Sequence, residues 1–111
     1  MAFQEKQLGQ RRDNDTSAHS VYSPGASTTA VIKTITLMNT TSTDATIRLF
    51  IDDDGTTYDQ STAILYDVII DANSLLQLDG FYPMNDASGN LAYQQGTANA
   101  ITITVFGAEI T

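Results

Sequence analysis

Short runs of alternating apolar and polar residues, separated by turn-forming residues, constrain the fold of this chain more than any other feature. Residues 45–52 (ATIRLFID) and 100–110 (AITITVFGAEI) carry an apolar side chain at nearly every second position, the period of a β-strand that buries one face. No stretch shows the 3.6-residue repeat of an amphipathic helix. Further β-rich runs, bounded by Gly, Asn, Asp, Ser and Pro, lie at 19–22, 29–39, 64–70, 74–78, 81–82 and 91–93.

These runs predict an all-β fold, because short strands with short connections and no crossover helices are typical of antiparallel sheets. We expect an antiparallel β-sandwich of seven or eight strands, and a jelly roll is one arrangement that fits this number. Gly107, inside the last run, predicts a bulge or a close approach of another backbone. In the run at 29–39, strict alternation groups Val31, Lys33, Ile35 and Leu37 on one face.

Residues 1–18 (MAFQEKQLGQRRDNDTSA) show neither period, so they predict an extended N-terminal arm ahead of a β-sandwich domain at 19–111. The arm holds three basic and three acidic residues, and the remainder of the chain therefore carries the whole net charge of −8. One interpretation is a frayed terminus. The other is a partner-binding arm, in which Phe3, Leu8, Arg11 and Arg12 dock on a neighbouring acidic subunit.

Charge and composition argue against several classes of function. With five basic residues and a net charge of −8, we expect no binding to nucleic acid. The chain has no cysteine, which excludes disulfides and thiolate metal sites. No run of about 20 apolar residues is present and the first residues lack the apolar core of a secretory signal, so we expect a soluble chain that does not enter a membrane.

The sequence predicts neither a catalytic site nor a cofactor. The only histidine, His19, precedes Ser20, and neighbours on a strand point to opposite faces, so these two residues do not form a base and a nucleophile. The spacing leaves open a triad assembled from distant residues, but no nucleophile elbow is present. We expect a protein that is not an enzyme, with His19 as an ordinary surface or interface residue.

An acidic segment, Asp52-Asp53-Asp54-Gly55 followed by Asp59, holds the densest group of oxygen ligands. Asp52, Asp54 and Asp59 are weak candidates for calcium, because hard cations prefer carboxylate oxygens. The spacing does not match an EF-hand loop, in which Phe50 would occupy the first ligand position. We favour a solvated hairpin turn and assign no metal.

Aromatic residues supply candidate partner-binding groups. Phe81, Tyr82 and Met84 are candidates for an interface, since exposed aromatic side chains often anchor protein contacts. The alternative is that most rings fill the core of a domain that has no tryptophan. A hypothesis of another class is a carbohydrate-binding adhesin module that stacks sugars on Tyr58, Tyr82 and Tyr93.

Four segments in this order, LGQRR, VYSPGASTTAVIKTITLMNTT, DDDGTTYDQSTAILYD and ANAITITVFGAEI, resemble small structural proteins of tailed bacteriophages. The resemblance covers the chain from about residue 8 to 110. It implies a β-sandwich subunit of the virion, assembled in the host bacterial cytoplasm. Such a subunit is a capsid decoration (cement) protein or an accessory or fibre subunit of the neck or tail.

The resemblance also implies partners. They are other copies of the chain, as a homotrimer, and other virion proteins such as the major capsid protein or neck and tail subunits, reached through the N-terminal arm. It implies no catalytic residues.

Overall fold

The computed structural model describes residues 2–111 and contains eight β-strands. No helix long and apolar enough to span a membrane occurs in this part of the chain. The strands are β1 (Phe3–Arg11), β2 (His19–Tyr22), β3 (Thr29–Asn39), β4 (Ala45–Asp52), β5 (Ala63–Ile70), β6 (Leu75–Met84), β7 (Asn90–Gln95) and β8 (Ile101–Ile110).

The strands form two antiparallel four-stranded sheets. Sheet A has the order β1-β8-β3-β6 and sheet B the order β2-β7-β4-β5. Hydrogen-bonded pairs nest outward from the β4–β5 hairpin, through β3–β6 and β2–β7 to β1–β8, and they alternate between the two sheets. This is the topology of an eight-stranded jelly roll, so the predicted antiparallel sandwich is confirmed.

Most strand positions agree with the sequence prediction. The runs at 19–22, 29–39 and 45–52 coincide with β2, β3 and β4. The separate runs predicted at 74–78 and 81–82 form one continuous strand, β6, because Asp79 and Gly80 lie within the ladder with β3 and do not form a turn.

The hydrophobic core lies between the sheets. The side chains of β8 predicted to face inward are fully buried, and Ala45, Ile47 and Leu49 of β4 are buried across from them as predicted. Sixteen buried residues form the core cluster, with eight partly buried apolar residues packed against it. The β8 residues in this cluster are Ile101, Ile103 and Val105.

A line of irregular pairing crosses sheet A. The β1–β8 ladder shifts register at Leu8, and both ladders of β3 shift at Lys33. At the same level a Cβ on Gly107 would collide with the carbonyl oxygen of Val31. The close backbone approach predicted for Gly107 is therefore confirmed, since only a residue without a side chain fits there.

The bulge in β3 also changes which side chains face the core. Strict alternation placed Val31 and Lys33 with Ile35, but Ile32 is the residue buried with Ile35, and Lys33 is exposed. The extra residue at Lys33 reverses the alternation, so the prediction from a strict period of two is wrong for residues 31–33.

The extended N-terminal arm is not confirmed. Residues 3–11 form β1, an edge strand of sheet A paired with β8, and residues 12–18 connect it to β2 in sheet B. An edge strand has one neighbour and many exposed side chains, so it tolerates polar residues on both faces. The extra residue at Leu8 further disrupts the period of two. For these two reasons the sequence pattern did not reveal the strand.

One buried amide joins the connections at one end of the sandwich. The side-chain nitrogen of Gln95 donates to the carbonyl oxygens of Asp13 (2.7 Å) and Asp15 (2.9 Å). Its oxygen accepts hydrogen bonds from the backbone N–H groups of Ala100 (3.2 Å) and Ile101 (2.9 Å). Gln95 thereby ties the β1–β2 connection to the start of β8.

Candidate interaction surface

Four large apolar side chains are exposed on the outer face of sheet A, which is turned away from sheet B. Phe3 on β1, Phe106 on β8, and Phe81 and Leu75 on β6 are 62%, 39%, 71% and 54% exposed. Leu75, Phe81 and Phe106 each adjoin a residue that packs into the core, so alternation turns them outward. Phe3 lies on the same side of β1 as Glu5, which lines a depression together with Phe106.

The outer face of sheet A is nearly neutral, although the protein has a net charge of −8. The Lys33 Nζ lies 3.9 Å from Oε1 of Glu5, so the two charges offset each other. Asp79 is the third charged residue of this face, and its carboxylate accepts a hydrogen bond of 3.0 Å from the Thr34 hydroxyl. Because burying unpaired charges is costly, this face is easier to bury against a protein than the acidic surfaces.

The dimensions of this face suit a protein partner. Four strands about 4.8 Å apart and about ten residues long cover roughly 600 Å². A standard protein interface buries about 800 Å² on each partner, so the face with its rim reaches that size. A depression of about 440 Å³ beside Phe106 gives the face a concave centre.

The structure separates the three interface residues that the sequence predicted on β6. Phe81 is the most exposed large apolar residue among residues 2–111. Tyr82 packs against the core and Met84 is 1% exposed, because the strand alternation turns both inward. Phe81 stays a predicted interface residue, whereas Tyr82 and Met84 belong to the sandwich interior.

The residues predicted to dock the arm have contacts within the chain. Leu8 packs against the core. The Arg11 Nε lies 2.7 Å from Oδ1 of Asp13, and Arg12 donates a hydrogen bond of 2.6 Å to the carbonyl oxygen of Asn99. The side chain of Phe3 is 62% exposed, and it lies on the same face as Phe81 and apart from the two arginines.

The acidic segment lies in the connection between β4 and β5, which is the predicted hairpin. Asp52 accepts hydrogen bonds from the backbone N–H groups of Thr57 (2.9 Å) and Asp54 (3.1 Å), and these bonds lower its pKa. Asp59 accepts from the hydroxyl and N–H groups of Ser61, which likewise lowers its pKa. These carboxylates order the loop, and no cluster of three metal-binding side chains occurs in residues 2–111.

The three tyrosines proposed for sugar stacking differ in how far they are buried. Tyr93 is 1% exposed, and its hydroxyl accepts a hydrogen bond of 3.0 Å from the N–H of Asp13. Tyr82 packs against the core. Tyr58 stacks on the buried Phe50 with ring centroids 6.3 Å apart. The stacking hypothesis is wrong for Tyr93, which is buried, and it stays a prediction for Tyr58 and Tyr82, which are partly exposed.

His19 and Ser20 contact different partners, as their positions on one strand predict. The His19 Nε2 lies 2.7 Å from Oδ1 of Asp15, and this contact lowers the pKa of Asp15. The Ser20 hydroxyl donates a hydrogen bond of 2.7 Å to the Asn90 side-chain oxygen. The two side chains therefore do not form a base and nucleophile pair.

A polar cluster on the outer face of sheet B escaped the sequence analysis. Arg48 binds both carboxylate oxygens of Asp67, at 2.6 and 3.2 Å, and its guanidinium lies 4.1 Å from the Tyr66 ring centroid. Asp67 has a positive φ of 53° where β5 is bulged against β4. No local pattern marks a bulge of this kind. Arg48 and Asp67 line a cavity of about 220 Å³, and their two charges pair with each other.

Comparisons with known proteins assign no family to the chain. No family model matches the sequence, and no curated protein matches it. Solved structures to which the chain is similar include "Structure of infectious bursal disease virus Gx strain", with a TM-score of 0.40 and 6% identity over 96% of this chain and 28% of that chain. Another is "Structure of infectious bursal disease virus Gt strain", with a TM-score of 0.35 and 10% identity over 96% of this chain and 30% of that chain. The chain thus spans less than a third of either protein.

Proposed function

We propose that this protein is a structural component of a tailed-bacteriophage virion, and specifically a capsid decoration protein that assembles with copies of itself and binds the major capsid protein. The observation that carries the proposal is the exposed apolar outer face of sheet A, on which Phe3, Leu75, Phe81 and Phe106 are accessible. Large exposed apolar side chains that share one face are a mark of interaction sites on soluble proteins. The resemblance of the sequence to phage structural proteins supplies the class of assembly.

The distribution of charge supports a protein that meets other proteins and avoids DNA. Eight aspartates lie outside the ion pairs of the described residues, and several of these crowd the β4–β5 connection. An acidic surface repels the phosphate backbone and keeps free copies in solution before assembly. Assembly then depends on the nearly neutral apolar face, where repulsion is weakest.

The N-terminal segment has a different place in this proposal from the one that the sequence indicated. Residues 3–11 are paired with β8, so docking through this segment uses the exposed side of an edge strand. The side chain of Phe3 is 62% exposed and is therefore accessible for that contact. An edge strand positions a docking side chain more firmly than a flexible arm, since less conformational entropy is lost on binding.

Immunogold labelling of purified virions tests the proposed location. An antibody against this chain is applied to virions of the phage that encodes it and to virions from which its gene is deleted. Gold over the head of the first particles, and none on the second, supports the decoration role. Gold confined to the neck or tail supports the accessory-subunit alternative within the same class. Unlabelled virions, with the epitope shown to be accessible on the purified chain, would refute a structural role in the virion.

A complementation experiment separates decoration from mere presence on the head. Gene-deleted heads are heated with and without added purified chain, and the release of DNA is followed. We expect added chain to raise the temperature of DNA release, because a bound subunit stabilises the state to which it binds. The chain carrying Ile69→Ser, which changes an exposed residue of sheet B, is expected to restore the heads equally well.

A further inference from the structure

We propose that the outer face of sheet A is covered by a second copy of this chain, in an interface that buries Phe106 on an inner strand and Phe81 on the edge strand β6, with Phe3 and Leu75 at opposite corners of the sheet. This inference rests on one element of the proposed function, which is that the chain assembles with identical copies of itself. The interface, however, belongs to the chain alone and does not require a virion.

The first argument is electrostatic and applies to identical copies in particular. Two copies that each carry a net charge of −8 repel, so they associate most easily where the facing surfaces carry the least charge. The outer face of sheet A carries Glu5, Lys33 and Asp79, a net charge of −1, and the first two lie 3.9 Å apart. The other seven net negative charges lie elsewhere on the molecule.

The second argument comes from the uncovered side chains. Three phenylalanines and a leucine, 39% to 71% exposed, lie on one sheet face of an acidic protein. Aromatic side chains at the centre of an interface contribute most of its binding energy. The face covers roughly 600 Å² from strand spacing and length. It therefore supplies most of the area, about 800 Å² per partner, that a stable interface buries.

The outer face of sheet B is a poorer surface for the same contact, because its exposed large apolar residues, Ile64, Tyr66 and Ile69, all lie on the edge strand β5. Its centre holds the Arg48 and Asp67 pair, with the guanidinium 4.1 Å from the Tyr66 ring centroid. The β4–β5 connection lies over Phe50 on this side, where Tyr58 stacks on it. Sheet A has no such cover among the described residues, so its face is the one available to a second copy.

Analytical ultracentrifugation of the purified full chain tests the inference over a dilution series at low and high NaCl. The unmodified chain is expected to associate as its concentration rises, and more strongly at high salt because salt screens the repulsion between acidic copies. Phe81→Ser is expected to weaken association about tenfold or more, in line with the loss of an interface aromatic. Far-ultraviolet circular dichroism verifies that the variant is folded, which is expected because Phe81 is 71% exposed.

Ile69→Ser is the matched control, since Ile69 is 63% exposed but lies on β5 in sheet B. It is expected to associate like the unmodified chain. A chain that is monomeric at every concentration and salt would overturn the inference and leave the face to a different protein. Equal association of Phe81→Ser and the unmodified chain would also overturn it, as would a loss caused by Ile69→Ser alone. A monomeric chain would also remove self-assembly from the proposed function, but none of these results bears on the labelling of virions, which separately tests the structural role in the virion.

Discussion

Substitution of Gln95 by leucine is expected to destabilise the fold much more than the same substitution at the neighbouring residue, Gln94. The leucine keeps a similar volume but removes four hydrogen bonds, two donated by the amide nitrogen and two accepted by the oxygen. Ala100 and Ile101, whose N–H groups bond to that oxygen, are fully buried. Water therefore cannot replace the lost acceptor at either residue.

The expected cost follows from these two groups. A buried donor left without an acceptor costs about 1–3 kcal/mol, so two of them reduce the free energy of unfolding by about 2–6 kcal/mol. A domain of this kind has about 5–15 kcal/mol of stability in all. Gln94→Leu is the matched control, because the Gln94 side chain is partly exposed and donates one hydrogen bond of 3.0 Å to the carbonyl oxygen of Thr16. We expect it to cost less than about 1 kcal/mol.

Equilibrium unfolding in urea measures both variants, followed by far-ultraviolet circular dichroism. Gln95→Leu should shift the midpoint well below that of Gln94→Leu with an unchanged slope. The reasoning fails if the two variants lose the same stability to within about 1 kcal/mol. That result would mean that the backbone polar groups of the β1–β2 connection and of the start of β8 have other hydrogen-bond partners and do not depend on the Gln95 side chain.

Three further predictions concern stability. Glu109 has a lowered pKa, chiefly because the Tyr22 hydroxyl donates a hydrogen bond to it. The contribution of Glu109 to the free energy of unfolding is therefore present above its unfolded pKa and is lost as the pH falls through its folded pKa. Urea midpoints measured across acid pH should fall less steeply in Glu109→Gln than in the unmodified chain. Gly107→Ala should destabilise by about 1–3 kcal/mol in the same assay, because the new methyl group meets a backbone oxygen of the neighbouring strand. Phe50→Ala should cost about 3–5 kcal/mol since Phe50 is fully buried, whereas Phe81→Ala should cost less than about 0.5 kcal/mol.

Each of these three predictions has a contrary result. If the urea midpoints of Glu109→Gln and of the unmodified chain fall in parallel as the pH is lowered, Glu109 does not contribute to the loss of stability in acid. Gly107→Ala is paired with Gly25→Ala, where the nearest atom lies 3.7 Å away, and equal stability of the two would contradict the close approach. Similar losses for Phe50→Ala and Phe81→Ala would mean that Tyr58 does not cover the ring of Phe50 as described.

The local pattern of the sequence was sufficient to identify β2, β3 and β4 as strands. The bounds of β2, β3 and β4 follow from runs of period two between turn residues, because alternation and turn chemistry depend on neighbours in the chain. The inward positions of β8 follow for the same reason, and Phe106 falls on the opposite side of that strand. The sequence also identified Phe3 and Phe81 as partner-binding candidates, but not that they share a face.

What the tertiary structure alone decided involves residues far apart in the chain. β1 is a strand because β8, about a hundred residues later, offers it an edge, and its own polar residues and the bulge at Leu8 conceal the pattern. The bulge at Lys33 reversed the faces of β3, and Gln95 acquired its role from loops that only the fold brings together. The alternation of apolar and polar residues along a strand shows which side chains are able to share a face. The pairing between strands distant in the chain decides which of them do.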